Sequence, residues 1–338
     1  MTQPHPPLIE THETALDLEQ FEAAADDFDA DVADTHEIDQ FCSSSFWTLP
    51  AAIELMPTRT PAIMRGKEGW LAFMRGEHAG SGRYLEPLES SWGLACPLIG
   101  RDPTTLVKWF ADVLEQTRTQ WDLTLLAGIP SGSQLLINIA HILSKRFRVF
   151  RHAQSSRHVA SLVGGMDAFL SRRTPNFRRS LRRAQVTAAQ LHLNIQYHCP
   201  NDVNAALALF DRVQTIERDS WKGIEEVGIA KGSFGAFYRN MVPRLARREA
   251  LHVLFIQHEG KDVAFFLGGL FGDTFRGLQA SFKEQHRAWS LGNLCQMAML
   301  ERLPKQVRYY DLGSAGLQYK IRWAEQIITS EVLVVLSS

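Results

Sequence analysis

Gly277-Leu278-Gln279-Ala280-Ser281-Phe282 and, after a short loop, Ser290-Leu291-Gly292-Asn293-Leu294 decide the reading of this chain. The first run closes a strand that begins at Thr274. The second opens a helix whose apolar residues carry it to Leu303. At such a junction the first turn of the helix leaves backbone N–H groups unpaired and positively polarised. An anion is held there without help from any side chain. Ser290 reads as the N-cap, and Gly292 lets an anion approach the backbone. Leu291 and Asn293 complete the candidate anion-binding turn.

Outward from this junction the pattern is of strands alternating with helices. Before it come helices at Asp167–Arg172 and Asn176–Gln190, a strand at Leu193–His198, and helices at Asp202–Asp219 and Phe234–Arg248. Strands at Leu251–Gln257 and Asp262–Phe271 follow. After it come strands at Tyr309–Leu312 and Glu331–Leu336. The first half has the same style. Strands at Ala62–Met64 and Trp70–Arg75 precede a helix from Asp102 to Trp121, a strand at Leu123–Ala127 and a helix from Gln134 to Arg146. Strands at Arg148–His152 and His158–Val163 end it. The loop Gly128–Ser133 lacks the Gly-Lys-Ser/Thr ending of a phosphate-binding P-loop, so nucleotide hydrolysis is unsupported. The expected class is α/β, with α+β layering: two diverged copies of one fold, each a mixed central sheet flanked by helices.

Length and composition agree. A chain of 338 residues exceeds one ordinary core. Four scattered cysteines form no CxxC pair, which argues against a zinc site or a disulfide framework and fits a reducing cytoplasm. No metal is expected, since the histidines form no HExxH or HxH pattern. No apolar run has the ~20 residues of a transmembrane helix. The net charge of −1 conceals an asymmetry: residues 1–40 carry 12 acidic and no basic residues. That composition predicts a largely disordered acidic tail, although Phe21, Ala24, Phe28 and Val32 recur at helical spacing. The remaining body is basic and suited to anionic ligands. The expected domains are this tail over 1–40, a degenerate one over 41–165 and a working one over 166–338.

Four stretches in the second half carry a resemblance. They are Phe177-Arg178-Arg179-Ser180-Leu181-Arg182-Arg183, Glu217-Arg218-Asp219-Ser220-Trp221-Lys222-Gly223, the pair of runs quoted first, and Tyr310-Asp311-Leu312-Gly313 followed by Tyr319-Lys320-Ile321-Arg322-Trp323. Their order and spacing resemble the CelD/BcsL-like acetyltransferases of the GNAT (Gcn5-related N-acetyltransferase) superfamily, a branch related to the Fem-type peptidoglycan aminoacyl ligases. The resemblance covers about Asp167 to Ser338. It implies tandem GNAT-like domains and transfer of an acyl group, acetyl first, from acyl-CoA to an amine or hydroxyl of a small or sugar-linked acceptor. Cell-envelope or polysaccharide metabolism is the implied setting. The loop at Ser290–Asn293 becomes the pyrophosphate site, with one glycine where the stronger family pattern has more.

Candidate roles follow. Glu217 sits beside the apolar face of its helix, next to Ile216, and is the first candidate to take the proton of an attacking amine. Asp311, at the end of an apolar strand beside a glycine loop and oddly placed for packing alone, is the second; it is expected to orient Lys320 or Arg322 or to bind the acceptor amine, and Lys320 and Arg322 are themselves expected to bind substrate through a phosphate on donor or acceptor. Trp221, Lys222, Gln279 and Tyr319 are expected to line the acceptor pocket. Arg179 and Arg183 belong to an acid-free arginine run that suits phosphate. Ordinary alternatives stay open: a salt-bridged Glu217, an Asp311 closing a strand pair, and a solvated arginine face. Two other functions stay open as well, an aminoacyl-tRNA-dependent transferase and a non-catalytic scaffold of polysaccharide assembly. Sequence-specific DNA binding is not expected.

Overall fold

The structure, a computed structural model, describes residues 14–314 and 318–337. The chain forms two compact units, one from the residues up to Ser155 with those from Thr329 onward, the other Ser156–Ile328.

The first unit holds β1 (Thr14–Leu16), α1 (Leu18–Ala23), α2 (Ala25–Asp34), α3 (Gln40–Ser43), α4 (Ser45–Glu54), β2 (Thr60–Gly66), β3 (Gly69–His78), β4 (Gly82–Pro87), β5 (Leu98–Ile99), α5 (Pro103–Gln116), β6 (Leu123–Pro130) and α6 (Gln134–Ile142). β7 (Arg148–Ser161) carries the chain into the second unit. There follow α7 (Gly165–Ser171), α8 (Pro175–Gln190), β8 (Asn194–His198), α9 (Val203–Arg218), α10 (Trp221–Ile224), α11 (Gly232–Ala246), β9 (Leu251–His258), β10 (Lys261–Phe271), β11 (Thr274–Phe282), α12 (Leu291–Leu300), β12 (Tyr309–Ser314) and α13 (Gln318–Trp323). β13 (Gln326–Leu336) returns the chain to the first unit.

Both units are mixed α/β with helix-flanked sheets, and both use one plan. In the second, β9, β10 and β11 form an antiparallel meander, α12 crosses over, and β12 pairs parallel with β11. In the first, β2, β3 and β4 form the meander, α5 crosses over, and β6 pairs parallel with β4. The two diverged copies read from the sequence are present.

The sheet of the second unit is buried on both sides, so its strands read as nearly continuous apolar runs. Leu254, Ile256, Ala264 and Phe266 join the core formed with α8 and α12. The alternate residues, Val253, Phe255, Phe265 and Leu267, are equally buried on the other face. That face is covered by α9, whose Leu209, Phe210, Val213 and Ile216 point inward as their spacing predicts. Asp202 starts α9 by accepting a hydrogen bond from the Ala205 amide. α8 starts at Thr174-Pro175 and buries Phe177, Leu181 and Ala184.

Two expectations are corrected. The acidic tail is ordered from Thr14 onward; residues 1–13 lie outside the described residues. Phe21, Phe28 and Val32 are fully buried, and both phenylalanine rings pack against Trp70. The acids have partners: Asp29 accepts from the Ser45 amide and hydroxyl, each at 2.7 Å, and Asp31 from the Trp70 indole at 2.8 Å. Asp17 and Asp39 are N-caps. Average composition hid three apolar side chains at helical spacing, enough to anchor the segment. The second correction concerns boundaries. The last strand belongs to the first unit, where Leu333 pairs with Leu126 and Val335 with Thr124. Arg148 to Ser161 is one unbroken strand in place of two.

Candidate functional site

Parallel pairing between β11 and β12 covers only Thr274↔Tyr309, Phe275↔Tyr310 and Arg276↔Asp311. Past that point β11 stays with β10, and β12 follows β7, with Ser314 opposite Arg157. A bulge helps the divergence: the β10 register runs Leu267↔Gln279, then Gly268↔Gly277, leaving Leu278 without an opposite residue. Gly277, Leu278, Gln279 and Ser314 border the resulting gap and are half-buried.

α12 begins at the far end of β11. Ser290 occupies the N-cap position, but its backbone is left-handed (φ 56°) and its side chain makes no capping hydrogen bond. Its carbonyl accepts from Asn293 and Leu294. Among the described residues no protein acceptor meets the amides of Leu291 or Gly292. Leu291 is buried in the core, whereas Gly292 and Asn293 are half-exposed. A side-chain carbon on Gly292 would meet only Phe282, at 3.9 Å. The turn is open.

The corresponding helix start in the first unit is closed. α5 begins with Asp102 accepting from the Thr104 amide, and Pro103, which has no N–H, fills the first turn. A carboxylate there occupies the place an anion would need. In chain order Gly128–Ser133 spans the end of β6 and the approach to α6, so it is not the counterpart of the start of α12. Ser133 caps α6, and the Ser131 hydroxyl donates to Glu331 at 2.8 Å.

Glu217, on the last turn of α9, is completely buried. The Ser220 hydroxyl lies 3.3 Å from its Oε2, the Ile229 amide 3.4 Å from Oε1, and the Lys222 ammonium 3.7 Å from Oε1. Gly228 makes room for it: a Cβ at that position would stand 2.5 Å from Oε1. Lys222 faces the gap, donating to Gln279 Oε1 at 2.9 Å and to the Ala280 carbonyl at 3.1 Å. The Gln279 amide in turn donates to the Tyr238 hydroxyl at 3.1 Å. Burial lowers the Lys222 ammonium below the usual lysine range, against the opposing pull of Glu217.

Asp311 is also fully buried. It is bonded to Arg157 and to Arg276 Nη2 (3.2 Å), and Oδ1 accepts from the Gly313 amide at 2.7 Å. Lys320 and Arg322 do not form its ion pairs, contrary to expectation. Lys320 donates to the Ser314 carbonyl at 2.6 Å. Burial, with Arg276 and Lys222 nearby and only Asp311 opposing, pushes its pKa down to about 8. Arg322 is exposed, Tyr319 is exposed, and Trp221 is half-buried at the start of α10.

Arg179, Arg182 and Arg183 lie on the exposed side of α8. The rest of the arginine run has structural work: Arg172 and Arg173 both bind Glu325, and Arg173 also lies over the Phe169 ring. Arg157, Arg276 and Tyr238 were not expected. A signal existed for Arg276, a charge between Phe275 and Gly277 within an apolar strand, the same feature that marks Asp311.

This arrangement is a GNAT-like fold, with divergent strands beside an open helix N-terminus. Comparison with known proteins agrees. Residues 175–321 match the family described as acetyltransferase (GNAT) domain. Similar solved structures include FemX, at 9% identity and a TM-score of 0.63 over 95% of this chain and 97% of that one. A conserved protein of unknown function from Bacteroides thetaiotaomicron VPI-5482 shares 14% identity and a TM-score of 0.60, covering 92% of this chain and 97% of its own. L-PGS from Bacillus licheniformis shares 12% identity and a TM-score of 0.55, covering 93% and 92%. At these identities the likeness is one of fold. No curated protein matches the chain significantly. Among the described residues no helix is long and apolar enough to cross a membrane.

Proposed function

We propose that the second unit transfers an acyl group, acetyl by preference, from acyl-CoA to an amine or hydroxyl acceptor in the cytoplasm, as a CelD/BcsL-like member of the superfamily. The observation that carries this reading is the open start of α12 beside the β11–β12 gap, set against the sealed start of α5. Leu291 and Gly292 offer amides to a donor phosphate, and Asn293 stands next to them. The donor supplies an activated acyl group as a thioester.

The chain supplies the rest. Lys222 reaches the gap and is the proton acceptor for the attacking group. Glu217 lies behind it, reaches the gap only through Lys222, and holds the positive charge that Lys222 gains. Gln279 and Tyr238 fix the Lys222 head. Asp311 has a positioning role, binding β7 and β11 to β12 through Arg157 and Arg276. Glu217→Gln is expected to lower kcat about 100-fold with KM nearly unchanged. The unfolding free energy should move by less than about 2 kcal/mol. Steady-state kinetics with urea unfolding checks both; full activity in this variant removes Glu217 from the mechanism.

A second reading, an aminoacyl-tRNA-dependent transferase, draws support from the single glycine at the α12 start and from exposed Arg179, Arg182 and Arg183, which suit a polyphosphate. Thermal unfolding with acetyl-CoA and with charged tRNA separates the two readings, because a ligand bound only by the folded state raises its stability. Stabilisation by acetyl-CoA and not by tRNA supports the first; the reverse supports the second.

A further inference from the structure

The segment that follows α9 inverts the usual partition of side chains. Its interior is polar: Glu217 and Ser220 are completely buried. Its exterior is apolar: Ile224 is 64% exposed, Val227 62% and Phe234 43%. Single exposed hydrophobic residues are ordinary, but a buried carboxylate beneath neighbouring exposed branched side chains is not.

The backbone fixes this inversion. Ser220 caps α10, its hydroxyl accepting from the Gly223 amide at 3.3 Å. At the other end the Val227 amide donates to the Lys222 carbonyl at 2.9 Å, and the Glu226 amide to the Gly223 carbonyl at 3.2 Å. With Glu226 left-handed at φ 59°, these are the paired bonds of a Schellman end. Beyond it Ile229 turns inward, its amide 3.4 Å from Glu217 Oε1. The Gln214 side chain donates to the Ile229 carbonyl at 3.3 Å and to that of Ala230 at 3.4 Å. Val227 cannot exchange places with Ile229 without breaking the contacts of Glu217.

This apolar rim adjoins the proton acceptor. Ile224 and Val227 flank Lys222 on one short turn, and Gly228 lies against its stem: a Cβ there would stand 3.1 Å from Lys222 Cβ. Phe234 precedes Tyr238 by one helical turn on the same side of α11, and Tyr238 accepts from Gln279, which holds Lys222. Charge decides what suits the rim. Glu226 is paired with Lys231 at 2.6 Å. Glu225, exposed between Ile224 and Val227, has no counter-ion among the described residues. A cation complements it, whereas an anionic surface is repelled. A second copy docking through the same patch would bring its own Glu225 towards this one.

We propose that Ile224 and Val227, with Phe234 beside them, bind the apolar body of the acceptor, and that the acceptor is a hydrophobic amine. Glu225 attracts the ammonium, Lys222 takes its proton, and the aliphatic or aromatic body lies across the rim. This rests on the transferase reading for the fate of the amine, but not for the binding of its body. Small hydrophilic amines lack the rim contacts and are poor acceptors.

The test uses the full chain. Wild type, the double variant Ile224→Ser with Val227→Ser, Glu225→Gln and the distant exposed control Ile137→Ser are titrated with phenethylamine, ethylamine and phenethyl alcohol, by thermal unfolding. Wild type and the control should prefer phenethylamine to ethylamine about tenfold, the effect of covering ~60 Å² of apolar surface. The double variant should lose that preference with its urea unfolding unchanged, since both side chains are exposed. Glu225→Gln should weaken phenethylamine about threefold and leave phenethyl alcohol as it was. Equal binding of the two amines to wild type, or a preference retained in the double variant, overturns the proposal. So does a dimer of wild type that sedimentation shows to be lost in the double variant, because a second copy then covers the rim. With acetyl-CoA as donor, phenethylamine should show the lower KM at similar kcat. Acylation of both amines at equal KM removes the rim and leaves the transferase reading standing. Rim-dependent binding of phenethylamine, with no acylation and no binding of acetyl-CoA, removes the transferase reading and leaves the rim standing.

Discussion

Gly292→Asp should weaken acetyl-CoA binding at least ~100-fold while leaving the fold as stable as before or slightly more so. Space is not the reason, since a Cβ at Gly292 would meet only Phe282, at 3.9 Å. A carboxylate in the first turn of a helix interacts favourably with the unpaired amides, by roughly 0.3–1 kcal/mol. The same interaction removes the positive potential a donor phosphate needs and replaces it with a like charge about 4 Å away. At an effective dielectric of about 20 to 80 that repulsion is about 1–4 kcal/mol, and the lost amide contacts add to it. Calorimetric titration gives the affinity, and urea unfolding the stability. A variant that binds acetyl-CoA as wild type does would place the donor elsewhere.

Asp311→Asn should be the most destabilising conservative change in the second unit, costing about 3–5 kcal/mol. Asparagine retains an acceptor for the Gly313 amide but leaves two guanidiniums buried without their carboxylate. The Arg276 side chain is 2% exposed and that of Arg157 12%. Small domains are stable by about 5–15 kcal/mol in all, so this loss is visible as a large fall in the denaturation midpoint. A change below about 1 kcal/mol would show that Asp311 does not hold the strands together. The contrast with Glu217→Gln is informative: of the two buried carboxylates proposed for proton transfer, Asp311 is read here as architectural and Glu217 as functional.

Much of this was legible in the chain. The period of Leu209, Phe210, Val213 and Ile216 fixed the inward side of α9, and therefore the burial of Glu217 beside Ile216. The alternation of strand and helix gave the α/β class, and Ser290–Asn293 marked the start of α12 within a residue. Other features could not be read locally. The pairing of Leu333 with Leu126 joins residues far apart in sequence, so nothing in the last strand itself reveals its partner. Acidic composition outweighed the spacing of Phe21, Phe28 and Val32, although burial depends on the latter. Asp311 stands out as a charge in an apolar strand, but its partners Arg157 and Arg276 lie on β7 and β11, and nothing near it in sequence points to them. The side chain of Ser290 was expected to cap α12; its left-handed backbone turns that side chain to solvent and leaves the amides to a ligand.

Hydrogen exchange of the full chain, with and without saturating acetyl-CoA, tests the donor site most directly. The prediction is slowed exchange concentrated at Leu291 to Asn293, with the amides at the start of α5, Thr104 to Leu106, unaffected. Protection at α5, or tight binding that leaves Leu291 to Asn293 exchanging as before, would contradict it.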